Sequence, residues 1–186
     1  MIVLVRHAES VHPTPDGPDD YHRPLALCGL AQAADLVAEL AALRPTSIAS
    51  SPYLRAVQTV QPLADALGLP VLTDHALREW DSGLPPTPDW ARHYAQSWAD
   101  PTFARPGGES LNQLTARAVT ALRSLATHAA TAPGLLGGPV IVGSHGTFVS
   151  RALLAFGAPV DWPFSRAMPS PAIYRITDTD IIGPGL

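Results

Sequence analysis

Short apolar runs alternate with longer amphipathic stretches along the chain, and the alternation predicts strands and helices in turn. Residues 1–5 (MIVLV) form the first apolar run. Over 29–43 the residues Leu30, Ala33, Ala34, Val37, Leu40 and Ala41 recur at helical spacing. Residues 47–50 read as a short strand. Ser51 as N-cap and Pro52 as first-turn proline then open a helix that runs to about Leu67 and stops at Gly68. A brief strand at 71–72 precedes a long helix over 109–131. Residues 140–143 (VIVG) are an all-apolar strand of the kind buried in a parallel sheet. A helix follows to about Phe156, and 172–177 is the last strand. Strands alternating with helices predict a three-layer α/β/α sandwich, a mostly parallel central sheet with helices on both faces.

Two segments break the pattern. Residues 11–24 (VHPTPDGPDDYHRP) are an acidic, proline-rich loop beside the first strand's carboxyl end, long enough to be functional. Residues 81–108 are rich in proline and tryptophan, with a short helix predicted over 90–98, and read as a lid-like insertion. Neither is a linker and no repeat occurs, so residues 1–186 are expected to form one domain.

Composition removes several classes of chemistry. All 12 basic residues are arginine, which excludes a Walker-type phosphate loop and a lysine Schiff base. The net charge of -4 argues against a nucleic-acid face. Cys28 is the single cysteine, so no internal disulfide exists. It also fails as a phosphatase thiolate, because Ala34 stands where cysteine phosphatases carry an arginine; a buried or half-buried place near a helix start is expected. The first apolar run is too short for a signal-peptide core and lacks a basic leader, and no segment approaches membrane-spanning length. A cytoplasmic location is expected.

The candidate chemistry lies at strand ends. Arg6-His7 terminates the first strand and Ser144-His145-Gly146 terminates the all-apolar one, both at the carboxyl edge where α/β sheets bind ligands. The helix after Gly146 would present free backbone N–H groups to that edge. Arg55 lies in the first turn of its helix, where a cation is mildly unfavourable unless an anion binds or a carboxylate pairs with it. A phosphate monoester is a dianion whose charge bidentate arginines offset, and a neutral imidazole attacks phosphorus without a separate base. The departing alkoxide needs a proton, and Glu79, just past the third strand, is the best-placed carboxylate.

The set of motifs resembles the histidine phosphatase superfamily, in its phosphoglycerate mutase-like branch. The resemblance is carried by Leu4-Val5-Arg6-His7-Ala8-Glu9-Ser10, the block from Ser50 to Thr59, Leu77-Arg78-Glu79, Pro106-Gly107-Gly108-Glu109-Ser110, and Val142-Gly143-Ser144-His145-Gly146, in family order over nearly the whole chain. It implies that His7 is the phospho-accepting nucleophile and that Arg6, Arg55 and His145 bind phosphoryl oxygens, with Gly146 beside them. It also implies that Glu79 donates a proton and then activates water, and that Ser10 adds a hydroxyl. His145 should be protonated for its role, which a dianion between two arginines favours. Neither cofactor nor metal is implied, and full activity in chelator is expected.

Three positions depart from the family pattern: Ala8 for the usual glycine, Pro13 where many relatives have asparagine, and Asp81-Ser82-Gly83 after the acid. The expected partner is a small phosphorylated substrate, with a homodimer possible and no nucleic acid or membrane. Hydrolysis is favoured over mutase-type phosphoryl transfer, because the chain is short and Asp16, Asp19 and Asp20 would repel a bisphosphate. Trp80, Trp90 and Trp98 read as lid packing. A serine hydrolase fails because Val142 replaces the glycine a nucleophile elbow needs. A metal site from His7, His12, His22 and Asp19 or Asp20 is disfavoured by Arg6 and by loose spacing. A non-catalytic phosphate- or phosphoprotein-binding module is the remaining alternative.

Overall fold

The computed structural model describes residues 1–14, 16–131 and 138–186. Among them, six strands form one sheet: β1 Ile2–Arg6, β2 Ser47–Ser50, β3 Val71–Thr73, β4 Val140–Ser144, β5 Ala172–Ile176 and β6 Ile181–Ile182, ordered β3-β2-β4-β1-β5-β6. β1 to β4 are mutually parallel, while β5 runs antiparallel to β1 and β6 antiparallel to β5. The helices are α1 Leu27–Ala42, α2 Leu54–Leu67, α3 Trp90–Ala99, α4 Leu111–Thr131, α5 Gly146–Ala155 and α6 Trp162–Ala167.

Side-chain alternation explains why the central strands are apolar throughout. From β1, Ile2 and Leu4 enter one core cluster, and Val3 and Val5 enter the other; from β4, Val140 and Val142 join the first and Ile141 the second. Leu40 of α1 and Val60 and Leu63 of α2 close the Val3 face, whereas Leu122 of α4 and Phe148 and Val149 of α5 close the Leu4 face. Both faces of the strands are therefore dry, and the expected three layers are present.

The element boundaries differ from expectation where side chains have tertiary partners. α2 starts at Leu54 with Tyr53 as N-cap, so Ser51 and Pro52 lie outside the helix and Ser51 is free for another role. α4 begins at Leu111, not at Glu109. Ser110 Oγ accepts from Gln113 N–H (3.1 Å) and Gln113 Oε1 accepts from Ser110 N–H (2.7 Å), a reciprocal capping box. α1 begins at Leu27, and Cys28 in its first turn is exposed, not half-buried. Two elements were not expected, α6 and β6, whose six and two residues are too few for a period to emerge. Asp161 starts α6 by accepting from Phe164 N–H (2.9 Å).

The approach of α1 to the end of β1 depends on Gly29. A Cβ there would overlap the carbonyl oxygen of Glu9, a backbone atom with no freedom to rotate away. Gly29→Ala is expected to destabilise the fold by about 1–3 kcal/mol through overpacking. Thermal unfolding should read this as a Tm lowered by about 3–10 °C, whereas an unchanged Tm would mean that this contact does not constrain the helix.

Candidate active site

The topology brings the two histidines together. β4 is inserted beside β1 with Arg6 opposite Ser144, and His7 N–H donates to the Ser144 carbonyl at 2.9 Å. The residue after each strand is a histidine, and the His7 and His145 rings meet edge to face at 5.3 Å. β2 ends level with them, Ser51 N–H donating to the Gly143 carbonyl at 2.8 Å. The chain leaves β1 into α1 on one face and leaves β4 into α5 on the other. Adjacent parallel strands whose connections diverge leave a crevice at their carboxyl ends.

His7 is held in one tautomer by its own backbone. Nδ1 lies 2.7 Å from the Ala8 carbonyl, which can only accept, so Nδ1 carries the proton and Nε2 the lone pair. Arg55 Nε donates to that Nε2 at 3.3 Å. Burial, followed by the Arg55 charge, lowers the His7 pKa to about 3, so the ring is neutral. The His7 carbonyl accepts from Ser170 Oγ at 2.7 Å. Replacing glycine by Ala8 retains the carbonyl, and the Ala8 N–H donates to Thr59 Oγ1 at 3.0 Å.

Arg55 lines the crevice and pairs with a carboxylate there, the second of the two explanations for its odd position. Its Nη1 donates to the Asp20 carbonyl at 2.6 Å and its Nη2 lies 3.1 Å from Asp20 Oδ2. Asp20 also pairs with Arg23 at 2.7 Å. Desolvation lowers the Arg55 pKa and Asp20 opposes that shift.

His145 is fully buried, with Nε2 2.8 Å from Ser51 Oγ and Nδ1 without a protein partner. Burial and Arg55 hold its pKa well below the ordinary value, so it is neutral here. Arg6 Nη1 donates to the Met168 carbonyl and, at 3.4 Å, to that of Pro169, while its Nε is buried and unpartnered. Gly146 sits against the Arg6 guanidinium, where a Cβ would lie 3.3 Å from Cζ. The amino end of α5 turns its Thr147 and Phe148 N–H groups to a side chain of this chain. Glu79 occupies it, Oε1 accepting from Phe148 N–H (3.1 Å) and Trp80 N–H (2.8 Å), and Oε2 accepting from Thr147 N–H (3.3 Å). Burial raises the Glu79 pKa, against the pull of those amides and Arg55. Arg117 of α4, paired with Glu109, fixes the turn by donating to the Ala76 (2.8 Å) and Arg78 (3.0 Å) carbonyls.

A cavity of about 1210 Å³ opens over this edge. Of the predicted site residues, His7, Arg55 and Glu79 line it; Arg6, His145, Ser10 and Gly146 do not. Ser10 is turned to the 11–24 loop, where its Oγ accepts from Arg23 Nη1 at 2.6 Å. His22 pairs with Asp19 at 2.9 Å, and Asp20 is taken by arginines, so these members of the weighed metal set have other partners. Trp80 is core, with Nε1 donating to the Glu109 carbonyl (2.7 Å), and Trp98 packs against the same core cluster. Trp90, by contrast, is exposed and lines the cavity. Sequence reasoning missed Ser51, Tyr53, Arg23 and Ser170 as parts of this site. The contacts of Ser51 and Tyr53 with His145 and of Ser170 with His7 span tens of residues, those of Arg23 stay within the 11–24 loop and its start, and only the placement of Ser51 and Tyr53 inside the second block hinted at any of them.

A family model described as the histidine phosphatase superfamily (branch 1) matches residues 2–180. The native mycobacterial glucosyl-3-phosphoglycerate phosphatase is 24% identical, with a TM-score of 0.72 over 98% of this chain and 95% of that one. An Entamoeba histolytica phosphoserine phosphatase mutant, solved with phosphoserine, is 16% identical with a TM-score of 0.72 over 99% of this chain and 94% of that one. A stretch of 88 residues, 42% of this chain, is 34% identical to the transcription factor tau 55 kDa subunit of Saccharomyces cerevisiae, of whose length it covers 20%. With the two histidines and two arginines gathered at one sheet edge, and the family model spanning all but the chain's first residue and last few, the protein belongs to the histidine phosphatase superfamily, branch 1.

Proposed function

We propose that the protein is a phosphatase that hydrolyses a phosphate monoester through a phosphohistidine on His7. The observation that carries this reading is the lone pair of His7 Nε2, fixed by the Nδ1 bond to Ala8 and turned toward Arg55, on a cavity that Glu79 also lines. The whole chain acts as one domain, with residues 81–108 as its lid. Solved proteins of the same fold include one complexed with inorganic phosphate, in keeping with a small phosphorylated ligand.

The roles follow from the chemistry. Nε2 attacks phosphorus, a P–N bond forms and the P–O bond to the leaving group breaks. Arg55 on the cavity wall and Arg6 behind it offset the charge on the phosphoryl oxygens; Arg6 Nε and His145 Nδ1, buried and without a partner among the described residues, are polar atoms that a phosphate reaching past the cavity wall would satisfy. A dianion beside His145 reverses the influence of its present surroundings and favours the imidazolium. Glu79, raised in pKa by burial, gives its proton to the departing oxygen. As carboxylate it then takes a proton from water, which attacks phosphorus, breaks the P–N bond and releases inorganic phosphate. Mutase-type transfer needs a bisphosphate or phosphoglycerate held for reorientation, and Asp19, Asp20 and Asp81 line the cavity against a second anion.

His7→Ala should abolish turnover by at least about 10⁴-fold and remove an acid-labile phosphoenzyme, while the protein still binds inorganic phosphate in calorimetry. Turnover by the variant would exclude His7 as nucleophile, and an inactive wild type that bound phosphoproteins would favour the binding module. For kcat/KM corrected for substrate ionisation, the low His7 pKa keeps the nucleophile neutral down to about pH 3. The raised Glu79 pKa makes activity toward an alkyl phosphate fall as pH rises through it, because the acid loses its proton. Glu79→Gln should cost about 10²–10⁴-fold on that substrate and much less on nitrophenyl phosphate, whose leaving group needs no proton; equal losses on both would remove Glu79 from the acid role. Asp20 competes with phosphate for Arg55, so Asp20→Asn should lower the Ki for inorganic phosphate by about twofold to fivefold. A higher Ki would mean that Asp20 orients Arg55 rather than competing for it.

A further inference from the structure

The cavity is far larger than a phosphoryl group requires and falls at the upper end of pockets that enclose whole organic ligands. What lines its outer part therefore bears on the leaving group. We propose that it takes an apolar, preferably aromatic, leaving group that carries no second negative charge. The inference rests on the phosphatase reading of His7 and adds the substrate class.

The outer wall of the cavity is rich in apolar side chains. Leu84, Pro85, Pro86, Trp90 and Tyr94 come from the 81–108 segment, and Tyr53 from the start of α2. Trp90 is 45% exposed yet anchored. Its ring meets Tyr94 edge to face at 5.5 Å and Trp162 at 6.0 Å, and Tyr94 rests in turn on buried Trp80 at 4.8 Å. A tryptophan buttressed by two aromatic rings and flanked by prolines loses little freedom when a ligand stacks on it, which is what a preformed apolar subsite needs.

Charge along the cavity favours the same class of leaving group. The cations lining the cavity are Arg23 and Arg55, and Asp20 pairs with both. The lining acids are Asp19, Asp20, Glu79 and Asp81. Phosphate recruits Arg55, so a carboxylate or second phosphate on the leaving group would lie in an acid-lined, largely apolar space whose remaining cation, Arg23, is also held by Ser10 and Val11. Desolvating an anion without a free partner is costly. The cavity discriminates against phosphoglycerates and bisphosphates and favours neutral or cationic aryl-bearing esters.

The test uses three primary alkyl phosphates of similar leaving-group basicity, so that chemistry does not mask binding: 2-(2-naphthyl)ethyl phosphate, propyl phosphate and 3-phosphoglycerate. The naphthylethyl ester should exceed propyl phosphate in kcat/KM by about tenfold or more, with 3-phosphoglycerate the poorest. Trp90→Ala should shrink the naphthylethyl-to-propyl ratio by about fivefold to tenfold. A preference for 3-phosphoglycerate, or a ratio unmoved by Trp90→Ala, overturns the proposal while leaving the phosphatase reading intact. Binding of the matching hydrolysis-inert phosphonates, measured by calorimetry, reads the same preference without turnover. Should the enzyme turn over none of the esters, the phosphatase reading fails, and the phosphonate ranking still decides whether the wall selects an aryl group.

Discussion

Everything at the candidate active site depends on β4 lying between β1 and β2 in parallel register. That insertion sets Arg6 opposite Ser144 and Ser50 opposite Gly143, so three strands end on one line. His7, Ser51 and His145 then emerge together, tied by His7 N–H to Ser144, Ser51 N–H to Gly143 and His145 to the Ser51 hydroxyl. A shift of one residue would send the core side chains of β4 to the wrong faces, since Ile141 and Val142 belong to opposite clusters. Core packing therefore sets the register, and the register sets the distance between the histidines.

Burial at this edge creates an electrostatic problem that the surrounding loops resolve. Two arginines and two imidazoles share a space largely removed from water, and desolvation lowers the pKa of each. The histidines respond by staying neutral, which leaves a nucleophile on His7. The arginines stay charged and take oxygen partners: Asp20 for Arg55, and the Met168 and Pro169 carbonyls for Arg6. Glu79 is treated differently. Its carboxylate takes the amides at the start of α5, so the helix end that could have faced an anion directly acts through a carboxyl group. Asp20 in the loop before α1 and Met168 and Pro169 after α6 are thus parts of the site, although all three lie outside its family motifs.

The sheet, its layers and the four cationic or imidazole residues were legible in the chain because each rests on a local signal. The apolar runs of β1 and β4 announce buried strands, and Arg6-His7 and His145 stand at their ends. α6 and β6 are too short for periodicity to show, and serine before proline reads as a helix cap at Ser51. Its hydroxyl accepts from Tyr53 N–H just before α2 and also meets His145, 94 positions away. The tryptophans divided in a way composition could not foresee: both Trp80 and Trp90 line the cavity, but Trp80 is buried in the core and Trp90 is exposed.

The sequence by itself determined the fold class, the family and the identity of His7, Arg55, Glu79 and His145 as candidates, since periodicity and ordered motifs are properties of neighbouring residues. Only the tertiary structure decided that Arg55 meets Nε2 of His7, that Asp20 sits on Arg55, that Glu79 accepts the Thr147 and Phe148 amides of α5, and that His7 and Arg55 open onto an apolar wall. Those are contacts between residues far apart in the chain, fixed by strand register and by competition for buried hydrogen bonds, and no local pattern encodes them.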